Sequence, residues 1–555
     1  MSAYTDASLI MVPSGYKDGT LYSAKPTNGD GDFTFSRGSN LAATRVNSDG
    51  LIEKGRENLL LQSNQFDTTW TRYNATLTSS QSGYDGTNDA WSLNLTGSGG
   101  FLNITLSNSG VQTKSIYAKA GTLNFCRVLA ATIPDRFAYF DLVNGSVETN
   151  TNLITANIES VGNGWYRLSI TFSASTSFFR IYPAQADNDL TATSGSIYIQ
   201  SAQLEQGLVA TPYIETGAST AQAGILEDMP RLDYSGGASC PSLLLEPQRV
   251  NHLTQSEYYS GGTWIKQSGT TVTQNTTDTL SPEGKYNASK VTSNGSNGLF
   301  HTSVYTAGGA NTKSIYLKGV SGGEVVYLKD PYQTVSTTTC TLTTEWQRFT
   351  LSETQTSSAS LWIDDIPSGG IYMWGAMLES SASYVSSYIP TYGSGVTRTQ
   401  EYGRTLVNSY EANEEQGVMF AEFEYLGGKD FQVVSMHNGG SIVDWLMINS
   451  AGHLTGAVFY DGAYQVSMDS SPTTLSPNTY YKAAFRYESG NNALYLNGVK
   501  VGTDTSTFTN PPTLGYVQLG GFWQLSNTKV NCRVKQALLF NTALTDAECI
   551  DLTTI

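Results

Sequence analysis

The chain contains one unit twice, and an internal repeat restricts the fold more than any compositional figure, because both copies must form the same structure. Asn58-Leu-Leu-Leu-Gln-Ser-Asn-Gln-Phe66, followed by Trp70, returns as Asn251-His-Leu-Thr-Gln-Ser-Glu-Tyr-Tyr259, followed by Trp264. Thr113-Lys-Ser-Ile-Tyr-Ala-Lys119 returns as Thr312-Lys-Ser-Ile-Tyr-Leu-Lys318. Asn163-Gly-Trp-Tyr-Arg-Leu-Ser-Ile170 is answered by Thr344-Glu-Trp-Gln-Arg-Phe-Thr-Leu351, and the two copies close alike at Leu204-Glu205 with Tyr213-Ile214 and at Leu378-Glu379 with Tyr388-Ile389. Side chains alternate with period two in these stretches, and turn residues recur about every 8–12 positions, the pattern of an antiparallel β-sandwich of the jelly-roll kind. Trp165 and Trp346, each in an alternating strand, are expected in the cores.

The lead-ins are repeated more loosely. Phe35-Ser-Arg-Gly-Ser39, Thr44-Arg45-Val46 and Gly50-Leu-Ile-Glu53 precede the first unit, while Arg231-Leu-Asp-Tyr234 and Cys240-Pro-Ser-Leu-Leu-Leu-Glu246 precede the second. They are expected to be extended connectors, each docking on the sandwich it introduces. From Gly417 the pattern changes. Val418–Tyr425 and Tyr480–Tyr487 alternate cleanly, and Ala493–Val501 is a hairpin with Asn497-Gly498 at its tip, the strongest short-range hairpin signal. Thr545 followed by Glu548 reads as a capping box that opens a terminal helix.

The predicted fold is therefore all-β: tandem antiparallel β-sandwiches, two jelly-roll modules and then a third sandwich. Residues 1–57 are read as an N-terminal attachment or connector segment, 58–217 as the first module and 218–250 as a connector. The second module covers 251–399, a linker 400–416, and the third sandwich 417–555. At roughly 100–200 residues per domain, 555 residues allow such a division.

Composition limits the partners. A net charge of −16 with no basic run disfavours nucleic acid and anionic membranes, so a neutral or cationic partner fits better. No apolar stretch approaches the ~20 residues that span a bilayer, and the amino terminus lacks a basic n-region, so neither membrane insertion nor signal-directed export is expected. Five cysteines, spread from Cys126 to Cys549 without CxxC spacing, read as ordinary thiols.

Two resemblances follow from these residues. The Ala493–Gly502 hairpin and the closing Ala537–Glu548 segment resemble the last strands and terminal helical turn of the concanavalin A-like, laminin-G-type sandwiches. The lead-in through Asn58-Leu-Leu-Leu and its echo at Leu243–Tyr259 resemble repeat modules of tailed-bacteriophage tail fibres, head fibres and head spikes. The resemblance implies a virion-surface protein, assembled in the host bacterial cytoplasm, that forms homotrimers and contacts capsid, portal, tail or fibre-attachment proteins. It implies binding of host cell-surface polysaccharide during adsorption; the alternatives are a purely structural head-fibre or capsid-decorating role and, further off, a polysaccharide-cleaving enzyme.

Sugar recognition on such sandwiches uses aromatic faces beside amides and carboxylates. Candidates near turns are Trp70, Tyr73, Tyr84 and Trp91 in the first module, Tyr258, Tyr259 and Tyr332 in the second, and Tyr460, Tyr464 and Trp523 in the third; the competing reading for each is core packing. Jelly-roll binding modules often hold Ca2+, and Asn28, Asp30 and Asp32 form the best local cluster of oxygen ligands. A bare turn is the competing reading there, because the distal bidentate Glu of an EF-hand loop is missing. The four histidines, His252, His301, His437 and His453, form no HExxH motif, and GxSxG and GxxxxGK[ST] are absent, so no enzyme is expected.

Overall fold

The computed structural model describes residues 3–555 apart from 18, 39–40, 133, 296, 303–304, 306–307, 356–357, 408–411, 440–441, 510–511 and 521–530. It is all-β, with every ladder antiparallel; two short helices, Ala3–Asp6 and Asp546–Thr553, are the helical elements among the described residues. The second opens with the expected capping box, Thr545 N donating to Glu548 Oε2 at 2.8 Å. Neither is long and apolar enough to cross a membrane.

The first module packs two six-stranded sheets face to face. One runs Ser146–Thr151, Asp135–Asp141, Phe125–Thr132, Thr176–Ala184, Phe101–Asn108 and Thr71–Tyr73. Its inward positions, among them Leu102, Val128, Phe179 and Ile181, meet Ile116, Leu168, Ile170 and Ile199 from the other sheet, all nearly inaccessible. The second module repeats the arrangement with a seven-stranded and a five-stranded sheet. Its five-stranded sheet runs Trp264–Lys266, Leu299–His301, Trp362–Asp364, Val325–Asp330 and Gln333–Thr341. Trp165 is buried as expected, whereas Trp346 is half-buried, its Nε1 donating to Leu280 O at 2.8 Å.

The residues kept in both copies are internal polar fittings. Asn58 donates to Ala202 O and Ile214 O and accepts from Leu60 N and Leu204 N. Asn251 makes the same four bonds, to Ala376 O, Ile389 O, Leu253 N and Leu378 N. Ser63 with Tyr213 OH (2.6 Å) is matched by Ser256 with Tyr388 OH (2.7 Å). The paired Arg167 and Arg348 each donate to a serine, Ser115 and Ser314, and each lies over a tyrosine, Tyr117 and Tyr316.

The segments read as connectors are built into the third sandwich, a correction to the expected layout. Leu9–Lys17 runs beside Cys532–Phe540, with Leu9 opposite Leu539 and Met11 opposite Ala537. Phe33–Ser36 pairs with Tyr402–Leu406, itself read as linker. Ser242–Leu245 pairs with the start of Cys532–Phe540, and Arg231–Asp233 pairs with it in turn. All belong to one sixteen-stranded sheet. The cause is apolar alternation within these short strands: Leu9, Met11, Phe33, Phe35, Leu243 and Leu245 all point into the third core and are almost fully buried. The lead-in to the second module therefore docks on the third sandwich instead of its own.

Where these segments meet, a buried ion cluster joins them. Arg231 donates to Glu401 and, at 2.7 Å, to Glu246; Arg37 reaches Glu401 at 2.9 Å and Arg398 reaches Glu246 at 3.0 Å. All five side chains are within 3% of complete burial.

Among the buried polar groups of the third sandwich that lack a hydrogen-bond partner, one is a carboxylate. Asp444 points inward on Ile442–Ile448 with Leu446 and Ile448, and neither oxygen has a hydrogen-bond partner among the described residues. Burial raises its carboxyl well above the usual range. The folded protein therefore holds this proton more tightly than the unfolded chain, so stability falls as pH rises from the ordinary carboxylate value toward the raised one. Asp444→Asn is expected to add about 1–2 kcal/mol near neutral pH. Urea unfolding at about pH 4 and about pH 7 checks this, and an equal difference between variant and parent at both values would refute it.

Candidate functional site

Strand parity sets the site. In Thr176–Ala184 the side chains of Phe179 and Ile181 enter the core, so Phe178, Arg180 and Tyr182 face outward. The same rule puts Phe101 and Asn103, Arg127, Phe137 and Tyr139 on that outer face, and Tyr73 on its edge strand. These side chains form one continuous layer. Tyr73 stacks on Phe101 at 5.3 Å between centroids, and Phe101 meets Tyr182 at 5.0 Å. The Arg180 guanidinium lies over Phe178 at 4.2 Å and Phe101 at 4.7 Å. Arg127 lies over Phe137 at 4.3 Å and Tyr182 at 5.2 Å.

Tyr73 is 55% exposed, and Phe101, Phe137, Phe178, Arg127 and Arg180 are half-buried, so the layer is reachable from solvent. Burial pushes the Tyr139 phenol up, with Arg127 opposing and Asp187 adding to the rise, which keeps the hydroxyl protonated at neutral pH. Asn103 Oδ1 accepts from Arg180 Nε at 3.1 Å. Aromatic faces for pyranose C–H surfaces, flanked by amide, phenol and guanidinium groups for hydroxyls, are the chemistry that saccharide binding requires.

The second module carries a counterpart on its five-stranded sheet. The ladders pair Val128 with Ile181 and Leu328 with Ile363, so Arg180 corresponds to Trp362, Arg127 to Tyr327 and Leu129 to Lys329. Tyr327, Trp362 and Phe300 face outward, and Lys329 sits over Tyr327 at 5.1 Å and Trp362 at 5.2 Å. Both arginine positions have become aromatic and the cation has moved to the position of Leu129, so a mixture of aromatic and cationic groups is kept.

Of the residues proposed from sequence, the structure brings Tyr73 into this layer. Trp70 and Tyr259 must be corrected: they are 2% and 0% exposed and belong to the two cores, Trp70 packing on Phe66 and Tyr259 on Trp264. Tyr460 is buried too, its hydroxyl donating to Thr509 O at 3.0 Å. Tyr84 stacks on Tyr117 over the other sheet of the first module, and Trp91 Nε1 donates to Asn64 O. Tyr258 is half-buried against Gly261, while Tyr332 is half-exposed at a strand turn. Tyr464, 60% exposed, meets Trp445 and Phe459 edge-on in a small separate patch, and Trp523 lies outside the described residues.

At the cluster read as a Ca2+ candidate the side chains make the hydrogen bonds of a turn. Asn28 Nδ2 donates to Asp30 Oδ2 at 2.6 Å, and Asp32 Oδ1 accepts from Ser23 N and Oγ. No group of three acidic, histidine or cysteine side chains suited to a metal occurs among the described residues.

A cleft of about 780 Å³ separates the second module from the third sandwich. Its buried carboxylates, Asp233 and Glu246, are held by Arg533 and by Arg231 and Arg398.

Residues 423–549 match the family described as the concanavalin A-like lectin/glucanases superfamily. No curated protein matches the chain. Among solved structures, similarity is found to one of botulinum neurotoxin type C, whose cell entry is described as dependent on two ganglioside molecules: 12% identity, 28% of this chain, 39% of that one, TM-score 0.24. Domain 4 of AbnA, a GH43 extracellular arabinanase from Geobacillus stearothermophilus in complex with arabinotriose, is 15% identical over 28% of this chain and 73% of its own, with TM-score 0.22. The binding domain of Paraclostridial Mosquitocidal Protein 1 is 12% identical over 28% and 43%, with TM-score 0.23. The chain thus spans well under half of the neurotoxin chain. The protein is an all-β chain of several antiparallel sheets whose C-terminal part is a concanavalin A-like sandwich.

Proposed function

We propose that this chain is a non-enzymatic glycan-binding protein of a tailed-bacteriophage virion, a fibre or spike whose modules present the two aromatic–cationic faces to host-surface polysaccharide during adsorption. The duplicated outer face carries the reading. Aromatic side chains left on a solvent-facing sheet surface lose burial that a ligand can restore, and this chain keeps such a layer in both modules. A homotrimer would present six faces, and linked weak sites gain roughly 10²–10⁴ in avidity. The lead-in resemblance supports the virion assignment, with assembly in the host cytoplasm and attachment to other virion proteins. A polysaccharide-cleaving enzyme needs two available carboxylates about 5–10 Å apart across a cleft; here the buried carboxylates of the cleft between the second module and the third sandwich are bound to arginines.

The test is binding of the purified protein to intact host cells and to their extracted polysaccharide, with Phe101→Ser and Trp362→Ser alongside. Each variant is expected to lose about tenfold in affinity at its own module, equivalent to ~1.4 kcal/mol, with unchanged melting. A second reading, a structural head-fibre or capsid-decorating protein, is favoured by the buried ion cluster that locks the connector segments into one body. Absence of saturable binding by the intact oligomer would put that reading in front.

A further inference from the structure

We infer that the two modules differ in the charge of the ligand they accept: the first takes a saccharide bearing an oxyanion, a carboxylate or a sulfate or phosphate ester, and the second takes a neutral one. This rests on the glycan-binding reading above and adds a ligand class to each face. The observation is a difference in local neutralisation. In the second module Lys329 Nζ is 2.8 Å from Asp364 Oδ2, so the cation over Tyr327 and Trp362 is already paired. In the first module neither Arg127 nor Arg180 has a carboxylate within ion-pairing distance among the described residues, and Arg127 Nε is buried without a hydrogen-bond partner. The neighbouring acids Asp187 and Asp189 keep their charge but are hydrogen-bonded elsewhere, Asp187 accepting from Thr149 N and Oγ1 and Asp189 from Thr191 N and Oγ1, and neither is ion-paired with these arginines.

The rings also prepare these guanidiniums. Arg180 is set over Phe101 and Phe178 and tied at Nε to Asn103, which leaves its Nη groups to donate outward. A guanidinium positioned in advance loses less freedom on binding, and its fork of donors matches the two oxygens of a carboxylate or ester. The overall charge of −16 does not oppose this, because at physiological salt charges farther away than about 8 Å are largely screened and the local sign decides. The tight aromatic packing around both cations favours a ligand with an apolar face as well as a charge, as a pyranose acid has.

The full-length protein is titrated with oligogalacturonate, its carboxyl-reduced counterpart and a sulfated galacto-oligosaccharide, within a printed panel of matched acidic and neutral glycans, at about 50 mM and about 300 mM NaCl. Wild type is expected to bind acidic members at least about tenfold more tightly than their neutral counterparts, with salt weakening that component. Arg127→Gln/Arg180→Gln is expected to abolish the preference together with its salt dependence. The carboxylate and sulfate arms identify the oxyanion. Equal binding of acidic and neutral forms, or a preference that survives in the double variant, overturns the inference and spares the glycan reading; failure of every saccharide on the panel overturns both. Oligomers that Phe101→Ser dissolves into monomers would assign the face to a second copy of the chain and overturn it too.

Discussion

Arg231→Met lowers the unfolding free energy by about 3–5 kcal/mol, the range for removing one partner of a buried charge network. Arg231 is the hub of the connector junction, with Nε on Glu401 Oε1 at 2.7 Å, Nη2 on Glu246 and Nη1 on Thr44 O and Ser387 Oγ. Methionine fills much of the volume and supplies none of these donors. Glu401 keeps Arg37 and Glu246 keeps Arg398, but each loses its shared counter-charge in a site where the side chains are almost fully buried. Denaturant unfolding followed by tryptophan fluorescence checks the magnitude, and a loss below about 1 kcal/mol would refute the assignment of Arg231 as hub.

The same cluster gives a pH signature. Burial alone would raise the Glu246 carboxyl, but the Arg398 and Arg231 guanidiniums and the bonds from Ser387 outweigh it and hold the group well below the usual carboxylate range. A depressed native value means that the unfolded chain binds the proton first, so this stability is present above the ordinary value of about 4.3 and is lost as pH falls toward the native one. Acid unfolding is therefore expected to begin at the junction. Glu205 and Glu379 inside the modules behave oppositely, because burial raises both despite bonds from Thr211 and Ser386.

The features that were legible have local evidence: the repeat for the two modules, and for the third sandwich the Asn497-Gly498 turn, whose residues take φ of 49° and 77°, and the Thr545 capping box. The weave of the third sandwich was not. Leu9-Ile-Met-Val12 reads as a short apolar run, and nothing in it reports a partner strand at Ala537–Leu539. The binding layer was hidden for a different reason. In Phe178-Phe-Arg-Ile-Tyr182 both parities carry large aromatic side chains, Phe178 and Tyr182 on one and Phe179 on the other, so alternation separates the core face from the outer one poorly. Proximity to turns was the weaker guide, since it selected Trp70 and Tyr259, which are buried in the cores. Identity between the two copies marks scaffold, as with Trp70 and Trp264; the outer faces are where the copies differ, Arg180 against Trp362 and Arg127 against Tyr327.

That distinction makes the repeated asparagines the sharpest test of the scaffold. Asn58→Leu and Asn251→Leu are each expected to cost about 3–5 kcal/mol, four hydrogen bonds at ~1 kcal/mol apiece plus the penalty for backbone groups left buried and unpaired. Both side chains are fully buried, and each joins the start of its module to the closing strand and to the segment after it, through Ala202 and Ile214 in one case and Ala376 and Ile389 in the other. Leucine has the volume but neither donates nor accepts, so two carbonyls and two amides lose their partners in each variant. Because the environments are duplicated, the two costs should agree within about 1 kcal/mol. Unequal losses would mean that one copy has found other partners for those backbone groups, and small losses in both would mean that the asparagine records common ancestry without supporting the fold.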